Sequence, residues 1–286
     1  MTRLAVLSDI HGNLPALQAV LEDTSRESVD GFIQGGDYTG GPQVRECLLL
    51  QRSLPGWMIH GNGEVNLRRY EQGDSPPTWK TNRQFSLLRW DHARLSRAEL
   101  DFLYALPEQQ VVQIDGLAAI RVVHGSPRSP YEQIFVEDSP AVERALADTC
   151  EAVLICGHTH RPWFIRRGDQ LAFNPGAVCG PLNGFTGAQY AILSWQADGW
   201  QVEHRALSYD LAAVRRQFED SGLLAASGAL GRAFLLSIES GRDVARNFLD
   251  YACFLAEQAG CANIKIIPDE IWDHAEATFD WKGALY

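Results

Sequence analysis

Five short segments of the 286-residue chain carry side chains that ligate divalent metal ions, in most cases beside a glycine. They are Asp9-Ile10-His11, Gly36-Asp37, Gly61-Asn62, His124-Gly125 and Gly157-His158-Thr159-His160. The two pairs spaced i, i+2 are the most informative, because residues two apart on a loop that leaves a strand can point to one side and reach one cation. Two Asp, four His and one Asn form a mixed carboxylate and imidazole set. Such a set suits Mn, Fe, Zn or Ni better than Ca, and we expect divalent ions, with Mn or Fe favoured.

Each segment also has a purely structural explanation when it is taken alone. A single His at a strand end is more often a packed or hydrogen-bonded residue than a metal ligand. Asp37 after Gly-Gly could form a turn, Asp9 could cap the following helix, and Gly61-Asn62-Gly63 could be a hairpin-type turn. The order and spacing of all five segments favour one shared site.

Each of the five segments follows a predicted strand, and α/β folds place their sites at the carboxyl ends of strands. The hydrophobic pattern predicts strands at Leu4–Leu7, Gly31–Gln34, Trp57–His60, Val111–Ile114, Leu117–Val123, Ala152–Cys156, Trp163–Arg167, Gln170–Phe173, Gln189–Trp195 and Trp200–Arg205. It predicts helices at Leu14–Glu22, Val44–Gln51, Ser96–Leu106, Leu211–Glu219 and Arg242–Ala259. Residues 66–83 are predicted as a polar loop, and Asp198-Gly199 as a hairpin turn. Alternating strands and helices predict an α/β fold, with two packed sheets and helices outside.

The pattern changes from strands to helices near residue 207. We therefore predict a catalytic domain over residues 1–206 and a mainly helical extension over residues 207–286. Gly222–Gly231 is a stretch of small residues between two of the predicted helices. The apolar stripe of Arg242–Ala259 is expected to dock on the main domain or, alternatively, to form a dimer surface, so a homodimer remains open.

Composition limits the classes of partner. The formal net charge is −11, which argues against a nucleic-acid polymer or an anionic membrane, because both are bound through Lys and Arg. A single phosphate ester is still compatible, since bound cations can reverse the local field. Six scattered cysteines without a CxxC pair and an N-terminus without a signal-peptide pattern predict a cytoplasmic protein with reduced thiols.

Together the five segments resemble the calcineurin-like metallophosphoesterase superfamily, and most closely its small prokaryotic phosphodiesterases. The similarity rests on Ser8-Asp9-Ile10-His11-Gly12-Asn13, Gly36-Asp37-Tyr38-Thr39-Gly40, Gly61-Asn62, His124-Gly125-Ser126-Pro127, Gly157-His158-Thr159-His160 and Asn174-Pro175-Gly176-Ala177-Val178. It covers about residues 1–210. The resemblance implies a four-layer αββα sandwich of two mixed β-sheets, here followed by a C-terminal helical extension.

The resemblance also implies two metal sites that share one carboxylate. Asp9, His11 and His160 would hold the first ion. Asn62, His124 and His158 would hold the second, and Asp37 would bridge both. Family members use such a pair for in-line attack of a metal-bridging hydroxide on phosphorus.

One position departs from the family pattern. Most members carry a His after the Gly-Asn of the third segment, where it aids catalysis, but this chain has Gly63. A proton donor can be worth about 10²–10⁴-fold in rate, so esters with poor leaving groups should suffer most from its absence. His60 is a candidate replacement acid, although it could also face away as a packing or surface residue.

Three further residues are candidates for substrate binding. Asn13 and Tyr38 flank ligand segments, but Asn13 could instead cap a helix and Tyr38 could pack in the core. Gly63 could lie close to a substrate. The basic residues Arg68, Arg69, Lys80 and Arg83 form either a cap over the pocket or a solvated loop.

The sequence therefore predicts a two-metal phosphodiesterase or phosphoanhydride hydrolase that acts on a small nucleotide-like substrate such as a dinucleoside polyphosphate. One alternative is a Ser/Thr phosphoprotein phosphatase of the same superfamily, which would need the proton donor more. A second alternative is a weakly catalytic metal-binding scaffold. The presence of candidate ligands at all seven positions argues against the scaffold alternative.

Overall fold

A computed structural model describes residues 2–197 and 199–285, so Asp198 of the predicted hairpin turn lies outside the described residues. The strands are β1 (Arg3–Leu7), β2 (Gly31–Gln34), β3 (Gly56–Met58), β4 (Gln109–Val112), β5 (Ile120–Val123), β6 (Val153–Ile155), β7 (Trp163–Arg167), β8 (Gln170–Asn174), β9 (Ala188–Gln196) and β10 (Gly199–Leu207). They form two five-stranded sheets, with the orders β10-β9-β1-β2-β3 and β4-β5-β6-β8-β7. Each sheet contains parallel and antiparallel pairs, as predicted for two mixed sheets.

The helices flank these sheets and continue beyond them. They are α1 (Leu14–Arg26), α2 (Val44–Ser53), α3 (Asn62–Gln72), α4 (Ser86–Arg94), α5 (Arg97–Ala105), α6 (Ser139–Ala147), α7 (Leu211–Asp220), α8 (Leu223–Ser227), α9 (Ala229–Ser240), α10 (Val244–Gln258) and α11 (Asp269–Thr278). Short 3₁₀ helices span Pro77–Lys80, Arg83–Phe85 and Gly283–Leu285.

The alternation of side chains along β1 shows how the layers are built. Leu4 and Val6 face the second sheet and pack in a core shared by both sheets. Ala5 and Leu7 point the other way and pack with α1. Because successive residues of a strand face opposite sides, one strand serves two cores. With α6 packed on the second sheet, the order of layers is helix, sheet, sheet, helix, and the predicted four-layer sandwich is confirmed.

The prediction of a loop over residues 66–83 is wrong, because α3 continues to Gln72 and a 3₁₀ helix follows at Pro77–Lys80. The sequence of α3 is strongly polar, and it buries only Glu64 and Leu67. The sequence Gly61-Asn62-Gly63, where the helix begins, is equally typical of a turn. The sequence pattern also does not predict α4, α6, α8, α9 and α11.

The C-terminal helices pack around a core of their own. The apolar stripe predicted at Arg242–Ala259 is α10, and its Phe248 meets Trp272 of α11 edge-on with ring centroids 5.0 Å apart. This stripe is therefore covered within the chain. The helices also contact α4, where Ser86 donates a hydrogen bond to the backbone carbonyl of Ser227 at 3.3 Å. The boundary near residue 207 remains a prediction.

Candidate metal centre and substrate cavity

Parallel pairing brings the ligand segments to one edge of the sandwich. β1, β2 and β3 are parallel neighbours, and β5 and β6 are a parallel pair in the other sheet. Their carboxyl ends therefore lie side by side. The loops after β1 and β2 are also joined directly, because the N–H groups of Ile10 and His11 both donate to the backbone carbonyl of Asp37, at 3.0 and 3.1 Å.

Most of the candidate ligands have an unusual backbone conformation. Asp9, His11, Asp37, His158 and His160 have φ between 43° and 66°. Residues other than glycine rarely occupy this left-handed region, because the Cβ crowds the backbone. Such strain persists only where the surroundings enforce it, and it concentrates at functional sites.

Close approach between loops explains two of the glycines. Gly36 has φ of 94°, and a Cβ there would lie 2.5 Å from the backbone nitrogen of Gly61. A Cβ on Gly61 would lie 2.1 Å from the Asp37 carboxylate. The loop after β2 and the start of α3 can therefore touch only because neither residue has a side chain.

The first cluster contains Asp9, His11 and His160, whose ligand atoms lie within 4.8 Å of one another. His160 Nε2 lies 3.4 Å from Asp9 Oδ1. His11 Nε2 lies 3.3 Å from His160 Nε2 and 3.8 Å from Asp37 Oδ2. Two imidazoles and one carboxylate thus converge on a small volume, with Asp37 beside them.

The second cluster contains Asp37, His124 and His158, again with ligand atoms within 4.8 Å of one another. His124 Nε2 lies 3.4 Å from Asp37 Oδ2 and 3.1 Å from Asn62 Oδ1. Asp37 therefore lies between the two clusters. All seven candidate ligands lie in one region, in the grouping that the family resemblance implies.

Backbone carbonyls orient three of the four imidazoles. The Nδ1 atoms of His11, His124 and His160 lie 2.5, 2.7 and 3.0 Å from the carbonyl oxygens of Thr39, Gly35 and Gly180. A carbonyl oxygen only accepts, so each Nδ1 carries the proton. Each Nε2 therefore faces the cluster, where it can bind a cation once it carries no proton, which is the arrangement that metal-binding histidines use.

The titration behaviour of the clusters reflects two buried carboxylates among imidazoles. Burial alone would raise the pKa of Asp9, but His160 and His124 outweigh it and lower the pKa to about 2. Burial would lower the pKa of His124, but Asp37 outweighs it and raises the pKa to about 10. Burial and the neighbouring His124 lower the pKa of His158 to about 4. The cluster attracts positive charge, which protons or metal ions can supply.

Asp9 provides a direct test of whether a cation fits. It is fully buried, and its Oδ2 accepts the N–H of His158 at 3.1 Å. Its Oδ1 is also buried and has no hydrogen-bond donor in the described part of the chain. A buried carboxylate oxygen without a donor is costly, whereas a metal ion beside the two neighbouring Nε2 atoms would satisfy it. The donor set therefore fits a divalent ion.

Two of the candidates for substrate binding, Asn13 and Tyr38, have buried side chains. Asn13 is buried, caps α1 by accepting the N–H of Ala16 at 3.1 Å, and donates to the Tyr209 hydroxyl at 3.1 Å. Tyr38 is fully buried, and its hydroxyl donates to the carbonyl of Ile59 at 2.8 Å. The geometry corrects the expectation that Asn13 and Tyr38 contact substrate, because both side chains are used in packing.

Gly63 and His60 lie on either side of Gly61-Asn62, and only His60 is buried. The N–H of Gly63 donates to Asp37 Oδ1 at 2.8 Å, so this glycine positions the shared carboxylate. His60 is 3% exposed, and burial followed by the charge of Arg68 lowers its pKa. Neither Gly63 nor His60 is among the described residues that line the cavity beside the clusters. A role of His60 as the acid gains no support.

A cavity of about 280 Å³ adjoins both clusters. One side contains His11, Asp37, Asn62, His158 and His160. The opposite side comes from α9, α10 and the turn between them, through Phe234, Ser237, Ile238, Asp243, Ala245, Arg246 and Leu249. Of the two alternatives for the basic residues Arg68, Arg69, Lys80 and Arg83, the cap gains no support, because none of them is among the described residues that line this cavity. Arg83 instead pairs with Asp273, and Arg69 lies over the Trp79 ring at 5.5 Å.

The fold and this ligand arrangement agree with a comparison to known families. The model described as the calcineurin-like phosphoesterase superfamily domain matches residues 2–198. The chain belongs to this superfamily. It is therefore a metal-dependent hydrolase of phosphate esters, and the prediction of an enzyme is confirmed.

Curated relatives place this phosphoesterase near the small prokaryotic phosphodiesterases. Phosphodiesterase MJ0936 of Methanocaldococcus jannaschii is 24% identical over 182 residues, which cover 64% of this chain and 87% of the relative. Phosphodiesterase YfcE of Escherichia coli is 27% identical over 194 residues, which cover 68% of this chain and 88% of the relative.

A solved metallophosphoesterase from Sphaerobacter thermophilus has a similar fold, with a TM-score of 0.68 and 27% identity. The similarity covers 84% of this chain and 100% of that chain. This share is larger than the part matched by the family model, so the structural similarity extends beyond residue 198. None of the described helices of the phosphoesterase is long and apolar enough to cross a membrane.

The sequence analysis did not identify Glu64, whose carboxylate holds the backbone around Asp37. It is 2% exposed, and it accepts the N–H groups of Asp37, Tyr38, Thr39 and Gly61 at 2.8 to 3.3 Å. Burial and the neighbouring Asp37 raise its pKa to about 7. Four N–H donors favour the ionised form, because only an unprotonated oxygen accepts two of them. A Glu three residues after the cap of a helix was the available signal.

Proposed function

We propose that the chain is a two-metal phosphodiesterase or phosphoanhydride hydrolase for a small nucleotide-like substrate. In this proposal Asp9, His11 and His160 hold one divalent ion. Asn62, His124 and His158 hold the other, and Asp37 bridges them. Mn or Fe is the favoured ion among those that this donor set suits.

The observation that carries the proposal is the position of Asp37. Its Oδ2 lies 3.8 Å from His11 Nε2 in one cluster and 3.4 Å from His124 Nε2 in the other. Its second oxygen, Oδ1, accepts the N–H of Gly63, and Glu64 holds its backbone. One carboxylate can therefore serve two ions without leaving its position.

When bound, the two ions supply activation of the attacking water and neutralisation of charge on the phosphoryl oxygens. The chain supplies orientation. The carbonyls of Thr39, Gly35 and Gly180 fix the imidazoles, so the Nε2 atoms need no rearrangement on binding. Helices α9 and α10 contribute apolar side chains to the cavity, and apolar surroundings strengthen electrostatic interactions.

The absence of a histidine at Gly63 supports substrates whose leaving groups need little protonation. These are phosphoanhydrides and aryl or nucleotidyl diesters, and dinucleoside polyphosphates are the favoured class. A phosphoprotein phosphatase would need a proton donor for the serine alkoxide. The narrow cavity between the sandwich and the C-terminal helices also supports a small molecule over a folded protein.

Screening of metal-loaded protein against nucleotides, dinucleoside polyphosphates and phosphopeptides tests the proposal. We expect hydrolysis of the anhydrides and diesters. The Asp37→Ala variant should hydrolyse none of the compounds. Turnover restricted to phosphopeptides would refute the proposed substrate class. Equal turnover by Asp37→Ala would refute the proposed site.

A further inference from the structure

The cavity has a second wall outside the residues matched by the family model. Helices α9 and α10 contribute Phe234, Ile238 and Leu249 to it. Phe234 is half-buried, and its ring meets the His11 ring edge-on with centroids 6.5 Å apart. A flat group that packs on Phe234 would therefore lie beside the first metal cluster.

The size and composition of the cavity limit what this wall can hold. Its volume of about 280 Å³ is near the lower end of the pockets that take small ligands, about 300–1,000 Å³. Apolar and aromatic side chains with a few polar groups are typical of such pockets. The space suits one nucleoside-sized unit and is too small for two.

Two arginines at the cavity add positive charge beyond the metal clusters. The Arg161 guanidinium lies over the Phe135 ring at 5.4 Å and donates to the carbonyl of Leu182 at 3.0 Å. The Arg246 guanidinium donates to the side-chain oxygen of Gln133 at 3.2 Å. These partners are neutral, so they do not cancel either charge. Each guanidinium has five N–H donors, and both side chains are exposed.

A second cavity continues from the first. Arg161, Leu182 and Asp243 line both of them, and Arg242 lines the second. Asp243 Oδ1 is already engaged, because it caps α10 by accepting the N–H of Arg246 at 3.0 Å. An anionic chain that leaves the first cavity would therefore pass Arg161 and reach Arg242. In a protein with a net charge of −11, this local concentration of guanidinium groups favours an anionic ligand.

We propose that the cavity wall formed by the C-terminal helices selects the substrate: Phe234, Ile238 and Leu249 bind a nucleobase. Arg246 of α10 and Arg161, which follows the candidate ligand His160, bind phosphate groups beyond the one that is attacked. The inference rests on the proposed function and adds to it the residues that would distinguish a nucleotide with a polyphosphate chain from other phosphate esters. The occupant follows from an apolar wall and from two arginines that form no salt bridge within the described part of the chain, on one cavity that also contains the candidate metal ligands.

Three substrates separate the two contacts. Diadenosine tetraphosphate has bases and a phosphate chain, thymidine 5′-p-nitrophenyl phosphate has rings without further phosphates, and inorganic tripolyphosphate has the chain without a base. Phe234→Ala should lower kcat/KM about 10-fold for the two nucleoside substrates, because the nucleobase loses its aromatic stacking partner. It should leave tripolyphosphate within about 2-fold, the scatter allowed for an unaffected contact.

The arginine variants should give the opposite selectivity. Arg161→Gln and Arg246→Gln should each lower kcat/KM about 10-fold for diadenosine tetraphosphate and tripolyphosphate, since a charge-assisted hydrogen bond is lost. They should spare thymidine 5′-p-nitrophenyl phosphate. Matched controls are Phe254→Ala, a 52% exposed phenylalanine of α10, and Arg167→Gln, an arginine paired with Glu143. Both controls should behave as wild type.

Binding of ADP to metal-free protein, measured by calorimetry, gives a readout that does not depend on turnover. Phe234→Ala and Arg246→Gln should each weaken it, and the controls should not. If the variants change neither ADP binding nor the substrate pattern, the inference is wrong while the proposed function can still stand. If wild-type protein hydrolyses none of the substrates but ADP binding responds as expected, the proposed function fails and the nucleotide site remains.

Discussion

Replacement of Glu64 by Gln should damage the metal centre although the two side chains have nearly the same shape. Glu64 is an acceptor for four backbone N–H groups, two on each oxygen. Oε1 accepts from Tyr38 and Thr39, and Oε2 accepts from Asp37 and Gly61. Glutamine has one oxygen and one NH₂ group, so either orientation places NH₂ against two N–H donors.

The expected magnitude follows from those two lost acceptors. A buried donor left without a partner costs about 1–3 kcal/mol, so Glu64→Gln should lower the free energy of unfolding by about 2–6 kcal/mol. In one orientation the affected donors include the N–H of Asp37 itself. The shared carboxylate would then shift, and metal content should fall as well.

Urea unfolding of metal-free protein measures the stability change, and elemental analysis of the loaded protein measures the metal content. Glu99→Gln is the matched control, because Glu99 occupies the same capping position on α5. There one oxygen accepts both donors of Ser96 and the other faces Arg45. Glutamine can keep the first oxygen, so the loss should be at most about 1 kcal/mol, with full metal content. Wild-type stability of Glu64→Gln would mean that Glu64 is already protonated and that the account of its role is incorrect.

Three further outcomes are expected. Asp9→Ala should deplete the first ion and His158→Ala the second, as seen by anomalous scattering from crystals of each variant; loss of the same ion from both would contradict the division of ligands. Rates with substituted aryl phosphodiesters should fall steeply as the phenol becomes less acidic, and Gly63→His should flatten that dependence. Gly63 lies in α3 without a positive φ, but a Cβ there would lie 2.9 Å from the Thr39 hydroxyl. The metal content of Gly63→His must therefore be measured alongside its kinetics. A wild-type rate that depends only weakly on the pKa of the phenol would reveal another acid. Tyr38→Phe should lower the unfolding free energy by about 0.5–1.5 kcal/mol and leave KM unchanged, whereas a raised KM would restore Tyr38 as a substrate contact.

The two packed sheets and the convergence of the candidate ligands could be predicted from local patterns, whereas the four-layer order and the division of the ligands between two sites came from the family resemblance. A buried strand followed by Asp9 or Asp37 can be read from a few residues, and parallel pairing then brings the strand ends together. The positive φ of five candidate ligands could not be predicted from the sequence. It arises from hydrogen bonds between loops that lie far apart in sequence.

The contribution of α9 and α10 to the cavity was missed for a similar reason. Phe234 and Leu249 belong to helical stripes that look like ordinary core, and only the packing of α9 and α10 turns them toward the metal ligands. Glu64 was missed because Gly61-Asn62-Gly63 resembles a turn more than the start of a helix. Local propensity favoured the wrong element there, and tertiary contacts with Asp37 decided the outcome.

In the proposed enzyme, Asp37 joins two metal sites in one centre. Metal content per chain, determined by elemental analysis after loading and removal of excess ion, tests it most directly. Wild-type protein should retain two ions. Asp37→Ala should retain one or none and lose activity, while Asp101→Ala, which removes a carboxylate of α5 that pairs with Arg97, should keep both. A wild-type chain that binds a single ion, or an Asp37→Ala variant that still holds two, would contradict the account.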